Sequence, residues 1–352
     1  MPMLNRDMPD GGRISDRLRQ FGELVVSESA LYARICRELA EDETVLEILG
    51  AARNDQPPAN ILLGAVHYLL LGGAGSELAT HYPSISGPTP APSGDPVELF
   101  AAFCRHERER LTLIVSSRTV QTNEVRRCTA LMPAFSWVSQ HTGKPLALIE
   151  IGASAGLNLA FDRYHYDYGA AGTGGPGSST LRLTTDLRFG TLPPIDPLPE
   201  VAWRRGVDLQ PVDLTVPDSV RWARALLWPE QLDRIERFER AVDLVRHAPP
   251  VLIEGNAIDL LPEVALSAPD DAALLVLHSF VLYQFPAEAR ERLTAVLEEI
   301  ARTRDVHRIG MEMLTGDRKP PPIEYTRYSA GGTEELTLGR ANHHGAWLEW
   351  SA

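Results

Sequence analysis

The chain has 352 residues, enough for two domains that each bury a core. Its formal net charge of −13, with Lys and Arg concentrated nowhere, argues against a nucleic-acid backbone as partner and leaves a small molecule as the expected ligand. Hydrophobic (44%) and charged (23%) fractions match ordinary soluble globular proteins, so a globular fold is expected.

Residues 1–13 are polar, carry Asp7 and Asp10, and lack the apolar core of a signal peptide. The longest apolar stretch, 61–71, falls short of the about 20 residues that span a bilayer. A cytoplasmic protein without a membrane partner is therefore expected. Cys36, Cys104 and Cys128 have neither metal-ligand nor redox spacing and read as small core residues, with no metal site.

From 14 to about 140 the patterns are helical. Leu31, Ile35 and Leu39, then Val45, Ile48 and Leu49, recur at helical spacing. The 61–71 run is apolar on nearly all sides and stops at Gly72-Gly73, and His67 inside it reads as a satisfied core residue. Residues 83–96, rich in Pro, Ser and Gly, predict an exposed loop. A helix through Phe100, Phe103 and His106 continues as Leu111, Ile114 and Val115. The run Arg118-Thr-Val-Gln121-Thr-Asn123-Glu124-Val-Arg126-Arg127 then breaks the apolar pattern. It reads either as a solvated helix face or as polar groups, Gln121, Asn123, Glu124 and Arg127, that cap a pocket.

Residues 146–158, Leu-Ala-Leu-Ile-Glu150-Ile-Gly152-Ala-Ser154-Ala-Gly156-Leu-Asn158, predict a buried strand, a tight turn and a helix start. Glycines there let backbone approach a ligand, and a helix start offers it unpaired N–H groups. The Gly152-x-Ser154-x-Gly156 spacing also fits a nucleophile elbow. Residues 163–200, with Tyr164, Tyr166 and Tyr168 alternating and a Gly-rich turn behind them, read as an inserted hairpin.

A second strand closes on Gly206-Val-Asp208, whose carboxylate suits two ribose hydroxyls, with Asp213 as the alternative. Strands follow at about 251, at 274–278 and at 306–314, separated by amphipathic helical stretches. Residues 335–340 and 346–350, joined by Asn342-His-His-Gly345, predict a closing antiparallel hairpin, with His343 and His344 as turn residues. Strands alternating with helices imply an α/β fold: a doubly wound, mostly parallel sheet with that hairpin, preceded by an all-helical domain. The expected boundary lies at 140/141.

Four short stretches resemble successive motifs of class I S-adenosylmethionine-dependent methyltransferases. They are Glu150-x-Gly152-x-x-x-Gly156, Gly206-Val-Asp208-Leu-x-Pro211, Gly255-Asn256-Ala257-x-x-Leu260-Leu-Pro262 and the turn from His278 to Pro286. The resemblance covers about 146–352 and implies a Rossmann-like fold with S-adenosylmethionine as cofactor. It implies that Glu150 lies near the cofactor's amino end, that Gly152, Ser154, Gly156 and Asn158 line its ribose and methionine, and that Asp208 holds the ribose. Asn256 and Ala257 would read the adenine, Ser279 would lie beside the sulfonium, and His278, Glu124 or Glu312 would be the base. Gln121, Asn123, Arg127 and Tyr283 fall to the acceptor side, roofed by the helical part. Ser154 replaces the usual middle glycine, and no Asp stands at 256. The whole chain also resembles the bacterial domain-of-unknown-function family 2332, through Gln121-Thr-Asn-Glu124, the 150–158 turn and Asp162-Arg-Tyr164.

Two other readings compete. A hydrolase would use Ser154 with Asp259 or Asp271 and His343, although such a turn normally follows several strands rather than helices. A non-catalytic ligand-binding scaffold would keep the fold without the chemistry.

Overall fold

The computed structural model describes residues 13–87, 93–314 and 319–352. The N-terminal segment read for a missing signal peptide and the middle of the 83–96 loop lie outside the described residues. The first helices are α1 (Ile14–Leu24), α2 (Ala30–Glu38), α3 (Glu43–Gly50), α4 (Pro58–Leu71), α5 (Pro83–Ser86), α6 (Pro96–His106) and α7 (Arg108–Ser117). After α8 (Cys128–Thr142) come β1 (Leu146–Ile151), β2 (His165–Asp167), β3 (Thr173–Gly174), β4 (Arg182–Thr184), β5 (Asp186–Phe189) and β6 (Val201–Asp208). The chain continues through α9 (Pro217–Ala225), α10 (Leu232–Val245), β7 (Val251–Glu254), α11 (Ala257–Leu266), β8 (Ala273–Ser279) and α12 (Ala287–Ile300). It ends with β9 (Val306–Met311), β10 (Pro322–Ser329), β11 (Gly332–Ala341) and β12 (Trp347–Trp350).

Two units result. One joins the described residues from Arg13 to Thr122 with Val216–Glu239, and the other joins Asn123–Thr215 with Arg240–Ala352. In the first, α4 is buried nearly all round, as its continuous apolar sequence dictates. Gly64 lets α9 close on it, since a Cβ there would stand 2.8 Å from Leu226 Cδ2. His67 is the satisfied core residue its surroundings predict. It donates from Nδ1 to the Ala225 carbonyl (3.0 Å) and accepts from Ser84 Oγ at Nε2 (2.8 Å), and burial holds its pKa down to about 4. Among the described residues no helix is long and apolar enough to cross a membrane.

The second unit is mixed α/β around a nine-stranded sheet of order β5-β12-β11-β10-β9-β8-β1-β6-β7. The block β7-β6-β1-β8-β9 is parallel throughout. β10, β11 and β12 then alternate in direction, and β5 runs parallel to β12 at the edge. The hairpin expected at the C-terminus is β11–β12, but β10 precedes it as a strand the sequence pattern concealed. Pro320, Pro321 and Pro322 mask its start, and Pro322 is tolerated as a first strand residue. The 163–200 insertion is likewise more than a hairpin. It forms a separate small sheet, β3-β2-β4, and sends β5 to the large one.

Side-chain alternation divides the parallel block into two buried faces. Ala147, Ile149 and Ile151 of β1 pair laterally with Leu274, Val276 and His278 of β8, and most of this set shares one core with α11 and α12. Leu148 and Glu150 lie with Leu275 and Leu277 on the other face, where α8 packs and Trp137 meets Tyr325 of β10 edge-on. Strand order reverses beside β1: β6 and β7 extend one way, β8 and β9 the other. Ligands in such sheets bind outside the carboxyl ends of the strands at that reversal.

Leu297 of α12 is fully buried in the first of these cores. Leu297→Ala should lower stability by about 2–5 kcal/mol, read as an earlier urea midpoint in circular dichroism.

Candidate functional site

The turn leaving β1 is strained. Gly152 has φ +69°, and a Cβ on it would lie 2.5 Å from Val281 Cγ2, so only glycine fits. Ser154 adopts φ +49° without glycine's freedom. It is held there from both sides, its N–H donating to Asp208 Oδ2 (2.8 Å) and its carbonyl accepting from Val212 N (3.0 Å). Such a residue costs about 1–3 kcal/mol and persists where the surroundings over-determine it.

The segment after the turn departs from the helix its sequence predicts. Instead of an α-helix, Asn158–Arg163 is a 3-10 segment broken at Ala160. Carbonyls that a helix would pair with its own amides are taken by side chains. Tyr164 donates to Leu157 O (2.8 Å), Arg204 to Leu159 O (2.6 Å) and Tyr166 to Phe161 O (2.7 Å). Arg204 also clasps both oxygens of Asp162 (2.7 and 2.6 Å). The tyrosine row and the Asp162-Arg-Tyr164 stretch therefore shape this turn.

A first polar group gathers on the α8 face. Asn158 Nδ2 donates to Glu150 Oε1 (2.8 Å), Cys128 Sγ to Asn158 Oδ1 (3.4 Å), and the Ala155 amide to Asn123 Oδ1 (3.2 Å). Burial pushes the Glu150 carboxyl up to about 8; the Asn158 hydrogen bond and Arg127 oppose this, and the Asp208 charge adds to it. Glu150 is therefore mostly protonated at neutral pH. Asn123 Nδ2, Glu150 Oε2 and Ser154 Oγ are buried with no hydrogen-bond partner among the described residues.

The turn leaving β8 carries a second group. Phe280 has φ +54°, the other non-glycine residue of positive φ among the described residues, and its ring lies 4.3 Å below the Arg127 guanidinium. Arg127 also donates to His343 O (3.0 Å) and, at 3.5 Å, to Ser279 Oγ. His278, on the α11/α12 face, places Nδ1 3.0 Å from Glu312 Oε1. That oxygen accepts as well from the amides of Val281 (3.0 Å) and Leu282 (3.1 Å). The His278 ring covers Gly310, where a Cβ would stand 2.5 Å from its Cε1. His278 Nε2 and Glu312 Oε2 are buried and have no hydrogen-bond partner among the described residues. Burial, and next the Glu312 charge, raise the Tyr283 phenol above its ordinary value.

The structure thus joins Asn123, Glu150, Ser154, Asn158 and Asp208 by hydrogen bonds around one turn, and Arg127, His278 and Ser279 around the other. Glu124 is buried, and its Oε1 accepts from the Arg126 amide (3.2 Å). Asn256 is exposed and caps α11 through Ile258 N (2.9 Å), with Ala257 buried behind it. Gln121 belongs to the other unit. Sequence reasoning named Glu312 only as an alternative base and passed over Gly310, although a glycine inside an apolar strand signals close approach by a neighbour. Cys128, read as core packing, also touches the site through Asn158.

A family model described as "Uncharacterized protein conserved in bacteria (DUF2332)" matches residues 15–350. The chain belongs to this family. No curated protein and no solved structure matches it. The matched range takes in the 150–158 turn and the residues bonded to it, Asn123 among them.

A protonated Glu150 makes stability depend on pH. The unfolded carboxyl ionises at its ordinary 4.5 while the folded one keeps its proton to about 8, so stability falls as pH rises through that window and levels off above it. Thermal midpoints measured across the window should decline less in Glu150→Gln, which stays neutral throughout, than in the wild type.

Proposed function

We propose that the chain is a class I, Rossmann-like methyltransferase that uses S-adenosylmethionine to methylate a small molecule. The observation that carries this reading is the set of buried, unpartnered polar atoms at the carboxyl ends of the parallel strands: Asn123 Nδ2, Glu150 Oε2, Ser154 Oγ, His278 Nε2 and Glu312 Oε2. Each would cost about 1–3 kcal/mol if nothing ever met it, and together they flank the strand-order reversal where α/β sheets bind ligands. Strand order in the parallel block and acids closing β1 and β6 support the same reading.

The residues fit the cofactor in charge. Glu150, Asp208 and Glu312 face the two turns with Arg127, a balance suited to a ligand bearing sulfonium and ammonium groups. Asp208 Oδ2 accepts the Ser154 amide (2.8 Å) and Oδ1 the Gln210 amide (2.8 Å), which fixes the carboxylate at the end of β6, where the ribose would lie. S-adenosylmethionine, when bound, supplies an electrophilic methyl group. Glu150 would take its amino end, Gly152, Ser154, Gly156 and Asn158 its methionine and ribose, Asn256 and Ala257 its adenine, and Ser279 the reacting region. His278 would hold the acceptor's proton, with Asn123, Glu124, Arg127 and Tyr283 assigned to the acceptor.

One observation favours the non-catalytic reading: Asp208 and Asn256 both spend side-chain oxygens on backbone amides of their own turns. The hydrolase reading has less support. Ser154 Oγ has no imidazole partner, and the Ala155 amide, the oxyanion donor of an elbow, is bonded to Asn123. Asp259 is exposed and pairs with Arg292 at 3.0 Å.

Calorimetry with S-adenosylmethionine and S-adenosylhomocysteine should give saturable heat, weakened by about 1–3 kcal/mol in Asp208→Ala through loss of charge-assisted hydrogen bonds. Near neutral pH the heat should vary with buffer ionisation enthalpy, because an ammonium beside Glu150 drives off its proton. No saturable heat up to millimolar ligand would sink the cofactor reading and leave the non-catalytic one. A fluorophosphonate probe should leave Ser154 unlabelled.

A further inference from the structure

The His278–Glu312 pair determines which ring nitrogen carries the proton. Glu312 Oε1 receives the Val281 and Leu282 amides as well as His278 Nδ1, so it is an acceptor at the centre of three contacts. An oxygen so engaged does not donate, so the proton of this contact sits on Nδ1. In the Nδ1–H tautomer Nε2 presents an in-plane lone pair, buried and meeting no donor among the described residues. Gly310 fixes the ring plane from below, because any side chain there would strike Cε1. Four backbone features, two amides, one glycine and the strand register of His278 with Gly310, hold a single imidazole in one orientation and one tautomer.

We infer that the acceptor is a hydroxyl compound, that His278 Nε2 takes its proton, and that Glu312 is the positioning residue that fixes the tautomer. This rests on the methyl-transfer reading above. A neutral amine attacks through a lone pair it already has, whereas a hydroxyl oxygen becomes a strong nucleophile only as its proton leaves. In that step the O–H bond breaks, its electron pair stays on oxygen, and a new N–H bond forms at Nε2. The imidazolium so formed is balanced by the Glu312 carboxylate at 3.0 Å. Tyr283 is half-buried, and the Glu312 charge acts on its phenol.

The test is nuclear magnetic resonance on the full chain with 15N-labelled imidazoles, with and without S-adenosylhomocysteine. The wild type should show His278 protonated at Nδ1 and bare at Nε2, and phenol should shift the Nε2 resonance while anisole, the same ring without the O–H, should not. In Glu312→Gln the fixed tautomer and the phenol shift should both be lost. A protonated Nε2 in the wild type overturns the inference, as does a shift with both probes or with neither, and none of these measurements depends on the variant folding. Absence of S-adenosylhomocysteine heat together with a phenol-specific shift would instead remove the cofactor reading and leave the hydroxyl site standing.

Discussion

The close approach of two turns governs the rest of this site. Gly152, leaving β1, and Val281, beyond β8, meet so tightly that a single methyl group has no room between them. That contact follows from the sheet: β1 and β8 pair in parallel along their whole length, so their exits emerge side by side at the same level. With helices on both faces, the polar ends of these strands can be satisfied only by each other, by the returning chain or by a bound molecule. The chain uses the first two options extensively. Asp208 ties the first turn to β6, and Glu312 ties the second to β9.

Those ties make the strain at Ser154 and Phe280 tolerable. Each residue sits in a left-handed conformation that costs on the order of 1–2 kcal/mol outside glycine, and each is pinned by backbone hydrogen bonds to a neighbouring strand or loop. Phe280 donates its amide to Met311 O at 3.0 Å and supports Arg127 on its ring face. Strain of this kind concentrates where geometry must be fixed before a ligand arrives. It also explains why the polar side chains are not free to rotate toward one another and quench their unpaired atoms. Asn123, for instance, has its oxygen committed to Ala155, which leaves its amide nitrogen aimed elsewhere.

Much of this was legible in the residues. An apolar run closed by an acid marked β1, Gly206-Val-Asp208 marked the end of β6, the glycine spacing marked the first turn, and the apolar run ending in His278 marked β8, where local pattern and burial agree. Three features were not legible for one shared reason: tertiary partners overrode local pattern. The stretch after Gly156 has helical spacing, yet Tyr164, Tyr166 and Arg204 claim its carbonyls from outside. β10 begins with prolines and is recognised only through its pairing with β9 and β11. Glu312 lies one residue past a strand and becomes significant only because the sheet register sets its strand beside His278. Within the 121–127 segment the same limit applies, since seven adjacent residues divide between two units and sequence adjacency cannot reveal it.

Charge connects the two faces of the strand ends. Glu150 and His278 project to opposite sides of the sheet, Glu150 kept protonated by burial and His278 held through Nδ1 against Glu312. A second acid stands beside each, Asp208 adding its charge at Glu150 and Glu312 bonding His278. A cation placed against Glu150 would drive off its proton, and the carboxylate so formed would cancel the cation's charge on the α8 face. A fold that keeps a buried carboxyl protonated in this way can accept a cationic group without burying its net charge, because the proton that leaves carries the charge back to solvent.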